Sequence, residues 1–349
     1  MNDTKPCPSP LDRLSRLRGV VPAAVMILIA TATSGCVQTA LDDLGDATPQ
    51  ISTKTMAEMR KKKMSPQSPV LVRTFKEESE LEVWKQDTTG RYRLLKSFPI
   101  CRWSGKLGPK KTDGDRQAPE GFYSVSKSML NPKSQYYLSF NLGYPNRLES
   151  ALGYSGTALM VHGACSSSGC YAMTDQGVGE IYAIVNASLG GGQTSFQVQA
   201  LPFRMTAKNM AEHRSDPNFD FWKTLKSGYD AFEATRTEPR ISACGGKYVV
   251  NAEFQGGDPD DPLAACPARI DNPDPAVAAR IKTEDAELAA LLQKDGPSHL
   301  TAYVDGGMHP SFRALLKQHG PKKLAEKISN IDYPVSGPDA ALADPYEKD

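Results

Sequence analysis

The stretch Leu159-Met160-Val161-His162-Gly163-Ala164-Cys165-Ser166-Ser167-Ser168-Gly169-Cys170-Tyr171-Ala172-Met173-Thr174-Asp175 brings one imidazole and two thiols close together in the chain. An apolar run ends in His162, a loop of small residues follows, and Cys170 stands just before a second apolar segment. A strand would deliver the imidazole, and the loop would fold a thiol back within hydrogen-bond reach of it. A Cys/His nucleophile requires this, because the thiolate attacks and a nearby base generates it. Small neighbours also leave backbone N–H groups free to face a developing oxyanion. Two other readings compete. A cysteine near a histidine is often plain buried structure, and His162, Cys165 and Cys170 would supply three ligands to a zinc ion. No fourth ligand and no paired-cysteine knuckle accompanies them, so neither metal nor cofactor is expected. Spacing leaves open whether Cys165 or Cys170 is the nucleophile.

His162-Gly163 on an apolar strand, followed by Ser168-Gly169-Cys170, resembles the active-site signature of the YkuD-type L,D-transpeptidases of bacterial cell walls. The resemblance runs from about Ser68 to Met210. It takes in the segment from Phe75-Lys76-Glu77 to Val83-Trp84, then Pro99-Ile100-Cys101-Arg102-Trp103-Ser104-Gly105-Lys106-Leu107-Gly108-Pro109-Lys110. It continues through Gly114-Asp115-Arg116-Gln117-Ala118-Pro119-Glu120-Gly121-Phe122-Tyr123 and Ser139-Phe140-Asn141-Leu142-Gly143-Tyr144-Pro145-Asn146. This set is similar to the YafK-like branch of the family. The resemblance implies Cys170 as nucleophile, with the N–H groups of Gly169 and Cys170 as oxyanion donors. The common family pattern is Ser-His-Gly-Cys, and here Ser168 stands where that histidine would be. The base is therefore expected to be His162, since His213, His299, His309 and His319 lie outside the matching region. Cys165 has no counterpart in the common motif and reads as structural or as a redox neighbour, able to pair with Cys170 in an oxidising compartment.

The substrate class implied is the peptide stem of peptidoglycan, attacked at the carbonyl of the L-centre of diaminopimelate. Cys170 thiolate, its pKa lowered by His162, would form an acyl-enzyme, and His162 would protonate the leaving amine. An amine acceptor then gives transpeptidation and water gives hydrolysis. The alternative within the family is a hydrolase that detaches a wall-bound lipoprotein. The alternative of another class is a non-catalytic peptidoglycan-binding lipoprotein with an idle site, which Ser168 in place of histidine favours. Stem peptides carry free carboxylates, so Arg102, Lys106, Lys110 and Arg116, in a Gly/Pro-rich segment, are expected with Gly163 to bind substrate, Arg102 foremost.

Arg13, Arg16 and Arg18 precede the apolar run 20–32, too short for a spanning helix but right for a signal-peptide core. It ends at Thr33-Ser34-Gly35-Cys36, which resembles a bacterial lipoprotein box with Cys36 acylated. Residues 1–35 are thus expected to be a signal peptide, and the mature protein periplasmic, anchored by lipid to the outer membrane. Residues 36–68, with three aspartates, the cluster Arg60-Lys61-Lys62-Lys63 and two prolines, read as a flexible tether. A net charge of +1 leaves no footprint for nucleic acid.

The elements that must position these groups are short. Val70–Phe75 and Leu81–Lys85 read as a hairpin, and 92–98, 121–125, 136–140 and 158–162 continue the alternation. A helix is expected over 177–189, with Phe196–Ala200 closing the sheet. The fold class is α+β: a mainly β-sandwich catalytic domain over 69–205, then a helix-rich extension over 206–331 and a disordered tail over 332–349. In the extension, helices are expected over 206–212, 219–234 and 274–294, and a strand over 246–254. Cys244 and Cys266 flank that strand as a candidate disulfide.

Overall fold

The computed structural model describes residues 49–271, 273–294 and 306–328, which belong to one compact unit. The signal segment, Cys36 and the 332–349 tail lie outside the described residues. The first described element is a helix, α1 (Thr53–Lys61), capped by Ser52, whose side chain accepts from Thr55 N–H. It buries Met59 in the main core, and Met64 follows it there. Residues 53–68 are therefore folded rather than a tether. Lys62, inside the basic cluster, donates through Nζ to the carbonyls of Leu94 (2.7 Å) and Leu95 (3.2 Å).

The strands follow as β1 (Val70–Phe75), β2 (Glu80–Gln86), β3 (Tyr92–Pro99), β4 (Arg102–Trp103) and β5 (Gly121–Ser126). Then come β6 (Leu130–Ser134), β7 (Tyr137–Asn141), the short helix α2 (Arg147–Ala151), β8 (Met160–His162) and β9 (Tyr171–Ala172). The long helix α3 (Asp175–Gly190) and β10 (Ser195–Leu201) complete this part. One sheet runs β3-β2-β1-β10-β5 and the other β4-β9-β8-β7-β6. Strand β10 does not close a sheet. It lies inside the first one, between β1 and the edge strand β5, parallel to β1 and antiparallel to β5. Alternation within β10 is the same at a centre as at an edge, so only the pairing could distinguish them. Helix α3, capped by Thr174, buries Val178, Ile181, Ile184 and Val185 and packs against strands of both sheets.

The helical part after β10 is built into the fold. It comprises α4 (Ala207–Glu212), α5 (Phe219–Thr235), the hairpin β11 (Ile241–Cys244) with β12 (Lys247–Val250), α6 (Pro275–Leu292) and α7 (Pro310–Ile328). Helix α7 is two helical segments meeting at Gly320, whose φ of 75° breaks the helical path. Trp222, Leu225 and Tyr229 of α5 belong to the same apolar cluster as the strands. Phe232 stacks edge-on against Trp84, ring centroids 5.1 Å apart. The Arg73 guanidinium lies over the Tyr229 ring at 4.5 Å and pairs with Glu233 at 2.6 Å. So every residue of β1 is buried, polar ones included, because α5 covers the sheet face that a two-layer sandwich would expose. Cys244 and Cys266 form a disulfide, Cα atoms 5.0 Å apart. Among the described residues no helix is long and apolar enough to cross a membrane.

The segment 104–120 is held from behind by a fully buried ion pair. Lys76 Nζ lies 3.0 Å from Glu120 Oε1 and also donates to the carbonyls of Lys106 and Gly108, each at 2.9 Å. Glu120 in turn accepts from Gly108 N–H (2.7 Å) and Trp222 Nε1–H (2.8 Å). Removing one partner strands the other charge in the interior. Lys76→Met is expected to lower unfolding stability by about 3–5 kcal/mol, and Lys76→Met/Glu120→Gln to recover part of the loss. Urea unfolding of the three proteins checks this, and equal losses in the single and double variants would contradict it.

Candidate active site

Strands β8 and β9 are parallel neighbours, with Val161 opposite Tyr171 and His162 opposite Ala172. Parallel neighbours normally need a crossover of a dozen or more residues. Here residues 163–170 suffice, because the strands are so short that the chain has little length to regain. The return is made through Ala164 (φ 62°) and Cys165 (φ 47°), consecutive residues in the left-handed region, and Gly169 (φ 133°). The register decides the site. Val161 and Tyr171 point into the core and are fully buried. His162 ends β8, and Cys170, directly before β9, sets its sulfur against the backbone N–H of Met160, two residues before His162.

His162 is buried, and its Nδ1–H donates to the Gly163 carbonyl at 2.7 Å, which leaves Nε2 as the acceptor. Burial pushes its pKa down to about 4, against the opposing pull of that hydrogen bond and of Asp175. The Tyr136 ring lies beside it, centroids 4.8 Å apart. Cys170 is half-buried. Its Sγ accepts from Met160 N–H (3.4 Å) and donates to Ala158 O (3.8 Å). Burial pushes the thiol up, opposed by the Met160 N–H and the Lys110 ammonium. The two side chains are not hydrogen-bonded to each other. The expectation of a thiolate pulled down by His162 is thus replaced by a resting thiol beside a neutral imidazole. Free Cys170 is accordingly expected to alkylate slowly at pH 6, with a rate rising about tenfold per pH unit until above pH 9. Iodoacetamide kinetics with peptide mapping checks this, and a plateau already reached by pH 7 would contradict it.

The loop between them is tied down at several points. Asp175, buried at the start of α3, accepts from Ala164 N–H at 2.8 Å. A side chain at Gly163 would meet Asp175 Oδ1 at 2.6 Å and Tyr136 O at 2.9 Å. Gly163, expected to contact substrate, instead permits this close approach and supplies the carbonyl that orients His162. The N–H groups of Gly169 and Cys170, expected as oxyanion donors, both point at Ser167 Oγ, at 3.3 and 3.0 Å. Ser167 Oγ also donates to Cys170 O at 2.7 Å and so shapes the turn. Ser168 is exposed.

The expected cationic binders separate. Arg102 is buried, its Nη1 turned to the carbonyls of Trp103 and Gly307, so it is no surface clamp for a carboxylate. It lies on strand β4 rather than on a loop, and the neighbouring segment at Gly307 closes over it. Lys110 is also buried, its ammonium held by Asp115 and the Thr112 carbonyl (2.8 Å). It acts on Cys170 as a fixed charge. Lys106 and Arg116 are exposed. Arg116 belongs to the loop whose backbone faces Gly169: the Gln117 carbonyl lies 3.6 Å and Arg116 carbonyl carbon 3.9 Å from where a Gly169 side chain would begin.

Cys165 is bonded to Cys101, Cα atoms 5.3 Å apart and 64 residues away in sequence, so it neither pairs with Cys170 nor ligates zinc. Cys170 is the one free cysteine among the described residues. Sequence reasoning missed Ser167, Asp175 and Cys101. Asp175 directly after Thr174 did carry a signal, as an acidic first turn behind a capping residue.

Residues 69–191 match the family model of the YkuD L,D-transpeptidase catalytic domain. The chain is 50% identical over 184 residues to a protein of Escherichia coli (strain K12) named for an L,D-transpeptidase, YafK, covering 53% of this chain and 74% of that one. Its counterpart in Escherichia coli O157:H7 matches equally. Among solved structures, the helical cell shape determining protein Pgp2 from Campylobacter jejuni is similar at 17% identity and a TM-score of 0.33, over 69% of this chain and 78% of that one. A point mutant of the same Campylobacter jejuni protein is similar at 23% identity and a TM-score of 0.32, the chain spanning about half (53%) of it and 43% of this chain being covered. The matching domain contains both His162 and Cys170, and the extended identity to YafK continues beyond any single motif: the chain belongs to the YkuD L,D-transpeptidase family.

Proposed function

We propose that this protein is a cysteine-dependent acyltransferase of the bacterial cell wall, acting on peptidoglycan stem peptides through an acyl-enzyme at Cys170. The observation that carries the reading is the free thiol of Cys170 held against the strand that ends in His162, at the N–H of Met160, with Nδ1 of His162 already committed to Gly163 O. That commitment keeps Nε2 as the acceptor, so a neutral imidazole receives the thiol proton as sulfur attacks. The carbonyl attacked is that of the diaminopimelate L-centre. The C–S bond forms as the amide C–N bond breaks, and the proton on His162 passes to the leaving amine. An acceptor amine then takes the acyl group, or water does. Exposed Arg116, on the loop facing Gly169, is the group best placed to meet a stem carboxylate.

The chain is proposed to work in the periplasm, anchored through an acylated Cys36. Two disulfides, Cys101–Cys165 and Cys244–Cys266, support an oxidising compartment. The test uses sacculi bearing free tetrapeptide stems and a covalently bound lipoprotein, incubated with wild type and Cys170→Ala and read by mass spectrometry. New cross-links or exchanged terminal residues made only by wild type support transfer. Lipoprotein released with its terminal lysine free, without new cross-links, identifies a hydrolase instead. Identical products from both proteins would leave a non-catalytic wall-binding protein.

A further inference from the structure

The loop carrying Cys170 is fastened at its midpoint to a distant part of the chain. Cys165 N–H donates to Met173 O (3.2 Å), and Cys101 N–H donates to Ala172 O (2.9 Å). The disulfide between them therefore ties the left-handed turn at Ala164-Cys165 to the β4–β9 edge. Non-glycine residues leave such a conformation unless the surroundings hold them in it. Both cysteines are fully buried, and the cover comes from far along the sequence. Met308, Phe312, Leu316, Leu324 and Ile328 form one apolar cluster with them. The same segment is stitched to the strand edge by Trp103 N–H to Gly307 O (3.0 Å), Gly307 N–H to Trp103 O (3.1 Å) and His309 N–H to Ile100 O (3.1 Å).

We infer that the Cys101–Cys165 disulfide is a positioning clamp for the nucleophile loop, sealed from solvent by the segment Gly306–Ile328. Its importance for turnover rests on the reading of Cys170 as nucleophile; its effect on Cys170 reactivity does not. The second disulfide supplies an internal control, since Cys266 is exposed while Cys101 and Cys165 are buried. A trialkylphosphine reduces each S–S bond to two thiols and takes the oxygen of one water to become the phosphine oxide.

The full-length chain is incubated with such a phosphine under native conditions and sampled over time. Each bond's state is scored by peptide mapping, the Cys170 alkylation rate and sacculus turnover are measured, and circular dichroism follows the fold. Cys244–Cys266 is expected to open first with Cys170 reactivity unchanged. Opening of Cys101–Cys165 should then change Cys170 alkylation by at least about tenfold and remove turnover in step, with the dichroism kept. In full-length Phe312→Ser/Leu316→Ser, Cys101–Cys165 should open at least about tenfold faster, with Cys244–Cys266 unchanged. Unaltered Cys170 alkylation after Cys101–Cys165 has opened overturns the clamp. So does unfolding in step with opening, which would mean the bond holds the whole fold. Equal opening rates in wild type and the double variant overturn the seal. Wild type without turnover, but with alkylation following the bond, would defeat the catalytic reading and keep the clamp.

Discussion

Cys170→Ala is expected to stay folded and to lose wall-peptide turnover by about 10^4-fold or more, the scale seen when an enzyme loses its covalent nucleophile. The thiol is half-buried and makes two sulfur hydrogen bonds, so its removal should cost no more than about 1 kcal/mol of stability. The separation of these effects is the test. Thermal unfolding and product analysis on the same sample decide it: an inactive variant with an unchanged melt places the loss in the chemistry. A variant retaining even a tenth of wild-type turnover would remove Cys170 from the mechanism.

His162→Gln should cost about 10^2- to 10^4-fold in kcat/KM, the range for loss of a general base. The pH dependence identifies the role more sharply than the magnitude. With His162 held near 4 and the thiol pushed up by burial, the reactive resting form, neutral imidazole with protonated thiol, prevails from just above pH 4 through neutrality. kcat/KM is therefore expected to be flat across neutrality, with its acid limb near pH 4, whereas alkylation by an external reagent climbs throughout. A kcat/KM limb at pH 6.5 would contradict the buried neutral base. The sign for stability follows from the same depression. The unfolded chain binds a proton at His162 at a higher pH than the fold does. The fold therefore loses stability as pH falls from about 6.5 toward 4, and His162→Gln should lessen that loss.

The remaining charged residues show why some of the site was legible and some was not. The strand ending in His162 and the short loop after it are legible because alternation is local, whereas spacing leaves Cys165 and Cys170 undistinguished and only the resemblance selects Cys170. Gly163 and Gly169 were singled out for substrate and oxyanion, yet their surroundings, Asp175 and Ser167, came from side chains whose directions no spacing reveals. Arg102 and Lys110 read as surface cations in the sequence because they sit among Gly and Pro. Each is instead buried, one against backbone carbonyls and one beside Asp115, since a polar side chain enters the interior wherever partners await it. The thiol's upward shift is hidden from the sequence for a related reason. Burial opposes ionisation, and burial belongs to the assembled layers rather than to the motif.

The sequence alone carries the strands β1, β2, β3, β5, β7, β8 and β10, though not β4, β6 or β9, together with the helix over Asp175–Gly190, the α+β class and the candidate pair His162 and Cys170 with its separation in the chain. These rest on periodicity and on contacts between near neighbours, which a linear pattern carries. Only the tertiary structure decided that β10 is an interior strand, that α5 forms a third layer over β1, and that Cys165 reaches Cys101 beneath Phe312 and Leu316. Those outcomes depend on which buried faces meet across long stretches of chain. That choice is made by the total apolar surface removed from water and the polar groups satisfied, a property of the whole packing and of no single segment.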